Sequence, residues 1–148
     1  MPPVRHLPDE AFPFLTLAER DRLLSYGRQA RFEPGGVILR EGHRSDAMYV
    51  LISGRVAVEK ESDSTGVVLD ELRPGAVFGE VSYLAGMPAS ASVVARTPVD
   101  VFVLEDLDEL LAADVAVAAG FYRSIASLLA RRLRFTTEET ARAATALT

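Results

Sequence analysis

The middle of this chain is built from short β-type runs that recur at intervals of about ten residues, a spacing typical of all-β folds. The runs are rich in valine and leucine and occupy 37–39, 47–53, 56–59, 67–69, 91–95 and 99–104. Turn pairs such as Ser53-Gly54 and Pro74-Gly75 separate them, and the charged stretch from Lys60 to Gly66 indicates an exposed hairpin tip. This pattern predicts a jelly roll or a sandwich.

Helical signals lie at the two ends of the chain. Residues 1–13 contain four prolines and predict an irregular N-terminal segment, and the remainder, 14–148, is expected to form a single domain. Thr16 and Glu19 have the spacing of a capping box, and the apolar residues after them indicate a helix that ends near Gly27.

A second helical region follows the last β-type run. Asp106 fits the N-cap of a short helix that ends near Leu111, and Asp114 can begin the longest helix, at about 114–138. Apolar residues recur there at spacings of three and four: Val117, Phe121, Ile125, Leu128, Leu129 and Leu133. We therefore expect a mainly β protein, a jelly-roll β-barrel flanked by N- and C-terminal α-helices.

Composition and charge exclude several classes of protein. The 148 residues carry a net charge of −5, which does not suit nucleic-acid binding, and the absence of cysteine rules out a disulfide framework or a thiolate metal site. The sequence shows neither a signal-peptide pattern nor an apolar run of about 20 residues, so we expect a cytoplasmic protein without membrane contact. About 15 residues follow Leu133, too few for a DNA-binding domain.

The stretch from Leu72 to Thr97 carries the functional signal. It reads as a turn, a short helix that opens at Gly79-Glu80, a stop at Gly86, and a returning strand from Ser90. The first N–H groups of a helix have no internal partner, and with the helix dipole they favour an anion. Gly79 allows a close approach to the backbone, and the Glu80 carboxylate can accept a hydrogen bond from a ribose hydroxyl.

The residue types alone leave two interpretations of this stretch open. In the first, the glycines and Glu80 form an anion-binding mouth, with the hydroxyls of Ser90 and Ser92 opposite. In the second, the stretch is only a tight crossover within the β fold, and Gly75, Gly79 and Gly86 serve turns. Short motifs of this kind are weak evidence by themselves.

The segment Phe78-Gly79-Glu80 followed by Gly86 to Ala95 resembles the phosphate-binding cassette of cyclic-nucleotide-binding domains. An upstream block, Phe32-Glu-Pro-Gly35 through Val58, agrees with the same family in order and spacing. The resemblance extends from about Leu15 to Leu133 and implies a regulatory module that binds cAMP or cGMP and needs no other cofactor. The nucleotide-binding residues that it implies are Phe78, Gly79, Glu80, Val81, Ala89, Ser90, Ala91 and Ser92.

The cassette departs from the family pattern at one position. The resemblance implies an arginine after the cassette proline, where it would pair with the cyclic phosphate, and this chain has Ala89. A hydrogen bond to a charged group contributes about 1.5–3 kcal/mol, so the loss of this arginine predicts binding weaker by roughly 10- to 1,000-fold.

The C-terminal helix contains four arginines whose role is open at this point: Arg123, Arg131, Arg132 and Arg134. They either form a solvated face beside an apolar packing stripe or supply the cation missing at Ala89. In the resembled family this helix often covers the base or forms a dimer seam, which implies a protein partner or a homodimer through it.

Two hypotheses follow. The chain is a sensor module that binds a small anionic nucleotide and signals through its C-terminal helix, or it is an interaction module that has kept the fold and lost the ligand. The two histidines and the scattered serines make no catalytic or metal-binding constellation, so we do not expect an enzyme.

Overall fold

The structure, a computed structural model, describes residues 2–62 and 65–146. In chain order the elements are α1 (Leu17–Leu24), β1 (Gly27–Phe32), β2 (Val37–Leu39), β3 (Met48–Ser53), β4 (Val56–Ser62), β5 (Thr65–Leu72), β6 (Val77–Phe78), α2 (Glu80–Ala85), β7 (Ser92–Ala95), β8 (Val99–Leu104), α3 (Asp108–Ala113) and α4 (Val115–Ala146). No helix in the described ranges is both long enough and apolar enough to cross a membrane.

The strands form two antiparallel sheets of four, in the orders β1-β8-β3-β6 and β2-β7-β4-β5. This confirms the predicted mainly β jelly roll with helices at both ends. The predicted closure into a barrel is not found among the described residues, since no strand pair joins the two sheets. Two of the edge strands, β2 and β6, are only three and two residues long and leave few backbone groups for pairing across a seam.

Strand β8 explains how the core is divided. Successive side chains of a strand point to opposite faces, and nearly all of β8 is buried because both of its faces are covered. Val101 and Val103 pack between the two sheets, whereas Phe102 and Leu104 pack against the helices. The molecule therefore has one core between the sheets and a second beneath the helical layer.

The N-terminal segment joins this second core although residues 2–16 contain neither helix nor strand. Phe12 is fully buried and stacks on Phe121 of α4, with ring centroids 5.8 Å apart. The backbone N–H of Phe14 donates to the hydroxyl of Ser124 at 3.1 Å. Arg123 lies over the Phe14 ring, 4.0 Å from its centroid. These contacts bind the segment to the first half of α4.

Several predicted boundaries move for identifiable reasons. The capping box of Thr16 and Glu19 is present, but α1 ends at Leu24, before the predicted end near Gly27. Gly27 instead begins β1, where a Cβ would lie 2.3 Å from a ring carbon of Phe102. The longest helix begins at Val115, next to the predicted start at Asp114, and the Asp114 carboxylate caps it by accepting from the N–H of Val117.

The other predicted cap is wrong. Asp106 has a φ of 55°, and the N-cap of α3 is Leu107, whose N–H donates to the hydroxyl of Tyr83 at 3.0 Å. Burial raises the pKa of Tyr83, the largest effect on this phenol. The hydroxyl therefore stays protonated and links α2 to the start of α3.

Candidate functional site

A cavity of about 1020 Å³ lies between the cassette, the β4–β5 ribbon and α4. Seven of the eight residues that the sequence assigned to nucleotide binding line it: Phe78, Gly79, Glu80, Val81, Ala89, Ser90 and Ala91. An apolar wall of Val58, Leu69 and Leu72 lies on the ribbon side, and α4 contributes Leu128 and Phe135. The site thus combines polar groups at the cassette with apolar surface on either side, as small-molecule sites commonly do.

Gly79 shapes the start of α2. It has a φ of 81° in the left-handed region, and a Cβ there would lie 3.2 Å from the carbonyl oxygen of Ala47. Both the backbone conformation and the crowding therefore favour glycine at this position. Because α2 has only six residues, binding of an anion in the cavity would depend on the surrounding side chains more than on the dipole of this helix.

Glu80 is 3% exposed, and its carboxylate accepts a hydrogen bond from Arg132 of α4. The same guanidinium donates to the carbonyl oxygen of Val77, at the start of β6. A buried carboxylate needs a partner of opposite charge or several donors, and here α4 supplies that partner. The residue predicted to hold a ribose is therefore joined to the C-terminal helix.

Ala89 is fixed by its backbone. Its N–H donates to the carbonyl oxygen of His43 at 2.9 Å, and its own carbonyl oxygen accepts from the N–H of Gly42 at 2.8 Å. The 42–43 connection therefore holds the cassette in place at this position. The methyl group of Ala89 brings no charge to the cavity that it lines.

Lys60 of β4 brings a cation to the same end of the cavity. Its ammonium donates to the carbonyl oxygen of Ser90 and to a carboxylate oxygen of Glu41, each at 2.9 Å. Hydrogen bonds from the backbone N–H of Glu61 and from Lys60 lower the pKa of Glu41. The carboxylate of Glu41 is therefore charged at neutral pH and pairs with Lys60.

Ser92 is the predicted site residue that does not line the cavity. Its hydroxyl accepts from the backbone N–H of Glu41 at 2.9 Å, between β7 and the connection after β2. The hydroxyl of Ser82, on α2, similarly accepts from the N–H of Ser45 at 2.7 Å. Both serines hold the 41–45 connection against the cassette.

The sequence interpretation missed Lys60 and did not settle the role of Arg132. Lys60 was assigned to the hairpin tip, but the strands extend to Ser62 and Thr65, and the tip itself lies outside the described residues. The available signal was the two-residue spacing of Val58 and Lys60, which places both side chains on one face of β4. For Arg132, the signal was its position four residues after Leu128 on the stripe that packs inward.

The sequence profile of the cyclic nucleotide-binding domain matches residues 29–114, more than half of the 148-residue chain. The chain belongs to the cyclic nucleotide-binding domain family. This confirms the resemblance noted in the sequence. Members of the family are regulatory ligand-binding modules, and the fold described above agrees with that assignment.

The chain is also similar in sequence to the regulatory subunit of a protein kinase. A "cAMP-dependent protein kinase regulatory subunit" of Yarrowia lipolytica is 38% identical over 86 residues, which cover 58% of this chain and 22% of that protein. The chain thus spans less than a quarter of that relative.

Two solved structures cover more of the chain. A cyclic nucleotide-binding domain from Methylobacillus flagellatus superposes with a TM-score of 0.80 at 26% identity, over 88% of this chain and 80% of the other. The catabolite activator protein of Thermus thermophilus gives a TM-score of 0.76 at 32% identity, over 89% of this chain and 62% of the other.

Proposed function

We propose that this cyclic nucleotide-binding domain is a regulatory module that binds cAMP or cGMP in the cavity beside α2. The observation that carries the proposal is the placement of seven cassette residues along one cavity in a member of this family. The nucleotide is the ligand, and the module performs no reaction on it.

The lining of the cavity suggests how such a ligand would lie. A ribose hydroxyl would donate to the Glu80 carboxylate, and the anionic phosphate would lie towards Ser90. The base would pack on the apolar wall of the ribbon, where Val58 and Leu72 lie, and against Phe135 of α4.

The Glu80–Arg132 pair supports a route for signalling. A ribose hydroxyl at Glu80 would compete with Arg132 for the same carboxylate, so ligand binding would alter the contact that joins α4 to the cassette. A ligand shifts a conformational equilibrium only through a difference in affinity between the two states, and this contact provides one. A partner would then read the position of α4.

Isothermal titration of cAMP and of cGMP into the purified chain tests the proposal. We expect saturable heat with one of them, with a dissociation constant between about 1 µM and 1 mM. The absence of both saturable heat and a melting shift up to millimolar ligand would reject nucleotide binding.

A second candidate function is an interaction module that has lost its ligand. It is favoured by Ala89 and by the apolar side chains that α4 exposes, of which Leu133 and Phe135 are 68% and 56% exposed. In that case α4 would form a homodimer or bind a protein partner, and cyclic nucleotides would have no effect.

A further inference from the structure

Lys60 is the only lysine in the 148-residue sequence, and its ammonium lies against the cassette. Strand β4 runs antiparallel to β7, with Glu59 opposite Ser92, so the next residue reaches the end of the cassette just before β7 begins. Val58 and Lys60 both line the cavity, whereas Glu59 pairs with Arg96 at 3.5 Å. Strand alternation therefore directs Lys60 to the ligand side.

Three basic side chains line the cavity in the described part of the chain: Lys60, Arg131 and Arg132. Arg132 is held by Glu80 and Val77, at the end of the cavity assigned to the ribose. Arg131 extends from the exposed surface of α4. Lys60 donates a hydrogen bond to the carbonyl oxygen of Ser90, within the 89–91 segment.

We propose that Lys60 supplies the positive charge for the ligand's phosphodiester in place of the side chain missing at Ala89. This inference rests on the nucleotide-binding function proposed above and adds a residue to it. The cation would then come from the neighbouring strand β4 and not from the cassette.

The chemistry of an ammonium fits this role. It has three N–H donors, of which the acceptors Glu41 and Ser90 engage two. The third can be donated to a phosphate oxygen, and lysine acts as a point charge that needs no bidentate geometry. The Glu41 carboxylate accepts a hydrogen bond from the same ammonium, so a bound phosphate would compete with Glu41 for Lys60.

The test compares cAMP with adenosine, which carries no phosphate, in titrations of the wild-type chain and of Lys60→Met. We expect the substitution to weaken cAMP binding about 10-fold or more and to change adenosine binding less than twofold. An equal loss for both ligands, or no loss for cAMP, would overturn the inference.

Matched variants separate a contact with phosphate from a structural effect. Lys60→Arg should retain part of the cAMP affinity, whereas Arg134→Met, which removes an exposed cation of α4 outside the cavity lining, should leave it nearly unchanged. The double variant Lys60→Met with Glu41→Gln leaves no unpaired carboxylate and should show the same selective loss for cAMP. Restored cAMP binding in the double variant would overturn the inference.

A chemical readout uses the single lysine. Limited acetylation followed by mass spectrometry reports Lys60 alone, apart from the N-terminal amine, which serves as an internal reference. We expect cAMP to slow acetylation of Lys60 and adenosine to have little effect. Equal protection by adenosine would contradict a phosphate contact.

Wild type and Lys60→Met together distinguish failure of this inference from failure of the proposed function. If wild type binds cAMP and Lys60→Met binds it as tightly, the proposed function stands and Lys60 is not the cation. If wild type binds neither cAMP nor cGMP, the proposed function fails, and binding of cAMP by Ala89→Arg would then show that the cavity lacks only the cassette cation.

Discussion

The guanidinium of Arg132 donates to the carboxylate of Glu80, a contact that joins residues 52 positions apart in the chain. Glu80 is 3% exposed, whereas the side chain of Arg132 is 39% exposed. The carboxylate therefore depends on the arginine more than the arginine depends on the carboxylate. Removing each partner in turn should have unequal effects.

Arg132→Met should lower the free energy of unfolding by about 1–3 kcal/mol, because it leaves a buried carboxylate without its cation. Arg134→Met is the matched control on the same helix, since Arg134 is 83% exposed and pairs with the surface residue Glu138, and it should cost less than about 0.5 kcal/mol. Urea unfolding curves would measure both. Equal stabilities of the two variants would show that the Glu80 contact contributes nothing.

Gly79→Ala should destabilise the fold by about 1–3 kcal/mol because it places a Cβ at positive φ. Gly35→Ala is a matched control, since Gly35 also has positive φ, at 87°, but a Cβ there would meet no described atom within 4 Å. We expect the larger loss at Gly79, where the carbonyl oxygen of Ala47 must move. Thermal melting of both variants would test this, and a larger loss at Gly35 would contradict it.

Ala89→Arg should tighten cAMP binding by roughly 10- to 1,000-fold by adding a charge-assisted contact to the cyclic phosphate. Met87→Arg adds the same charge two residues earlier, on an exposed side chain outside the cavity lining, and should change the affinity little. Titration calorimetry measures both variants. A similar gain in both would indicate general electrostatic attraction and not a cassette contact.

Acid should weaken the contact between Glu41 and Lys60. The pKa of Glu41 is lowered on folding, so its contribution to stability is present above the unfolded pKa and is lost as the pH falls through the folded value. The loss is expected below about pH 4.5. Melting temperatures between pH 3 and pH 7 should fall less steeply for Glu41→Gln than for wild type. Glu109→Gln, on an exposed position of α3, should follow wild type.

Leu133→Asp should convert a dimer into a monomer if α4 is the interaction surface of the second candidate function. Leu133 is 68% exposed, and burial of such a side chain stabilises an interface that a carboxylate would oppose. Val115→Asp, at the other end of α4 and 80% exposed, is the control. Light scattering measures the mass. A monomeric wild type would reject the homodimer.

Most of the strands and the starts of α1 and α4 were predictable because local patterns determine them. The alternating β-type runs, the capping box at Thr16 and the N-cap at Asp114 are all local signals. Lys60 was not assigned to the site, because a charged residue next to serines resembles a hairpin tip until the length of β4 is known. The pairing of Arg132 with Glu80 depends on how α4 packs on the cassette, which no local pattern reports.

The contacts between the N-terminal segment and α4 couple the two ends of the domain. Phe14 donates to Ser124, and a Cβ at Gly120 would lie 2.5 Å from the carbonyl oxygen of Phe14, so the two backbones are in direct contact. Residues 12–15 therefore pack directly on the first half of α4, and we expect them to move with it. A shift of α4 would therefore displace a domain attached before the N-terminal segment as well as one attached after α4.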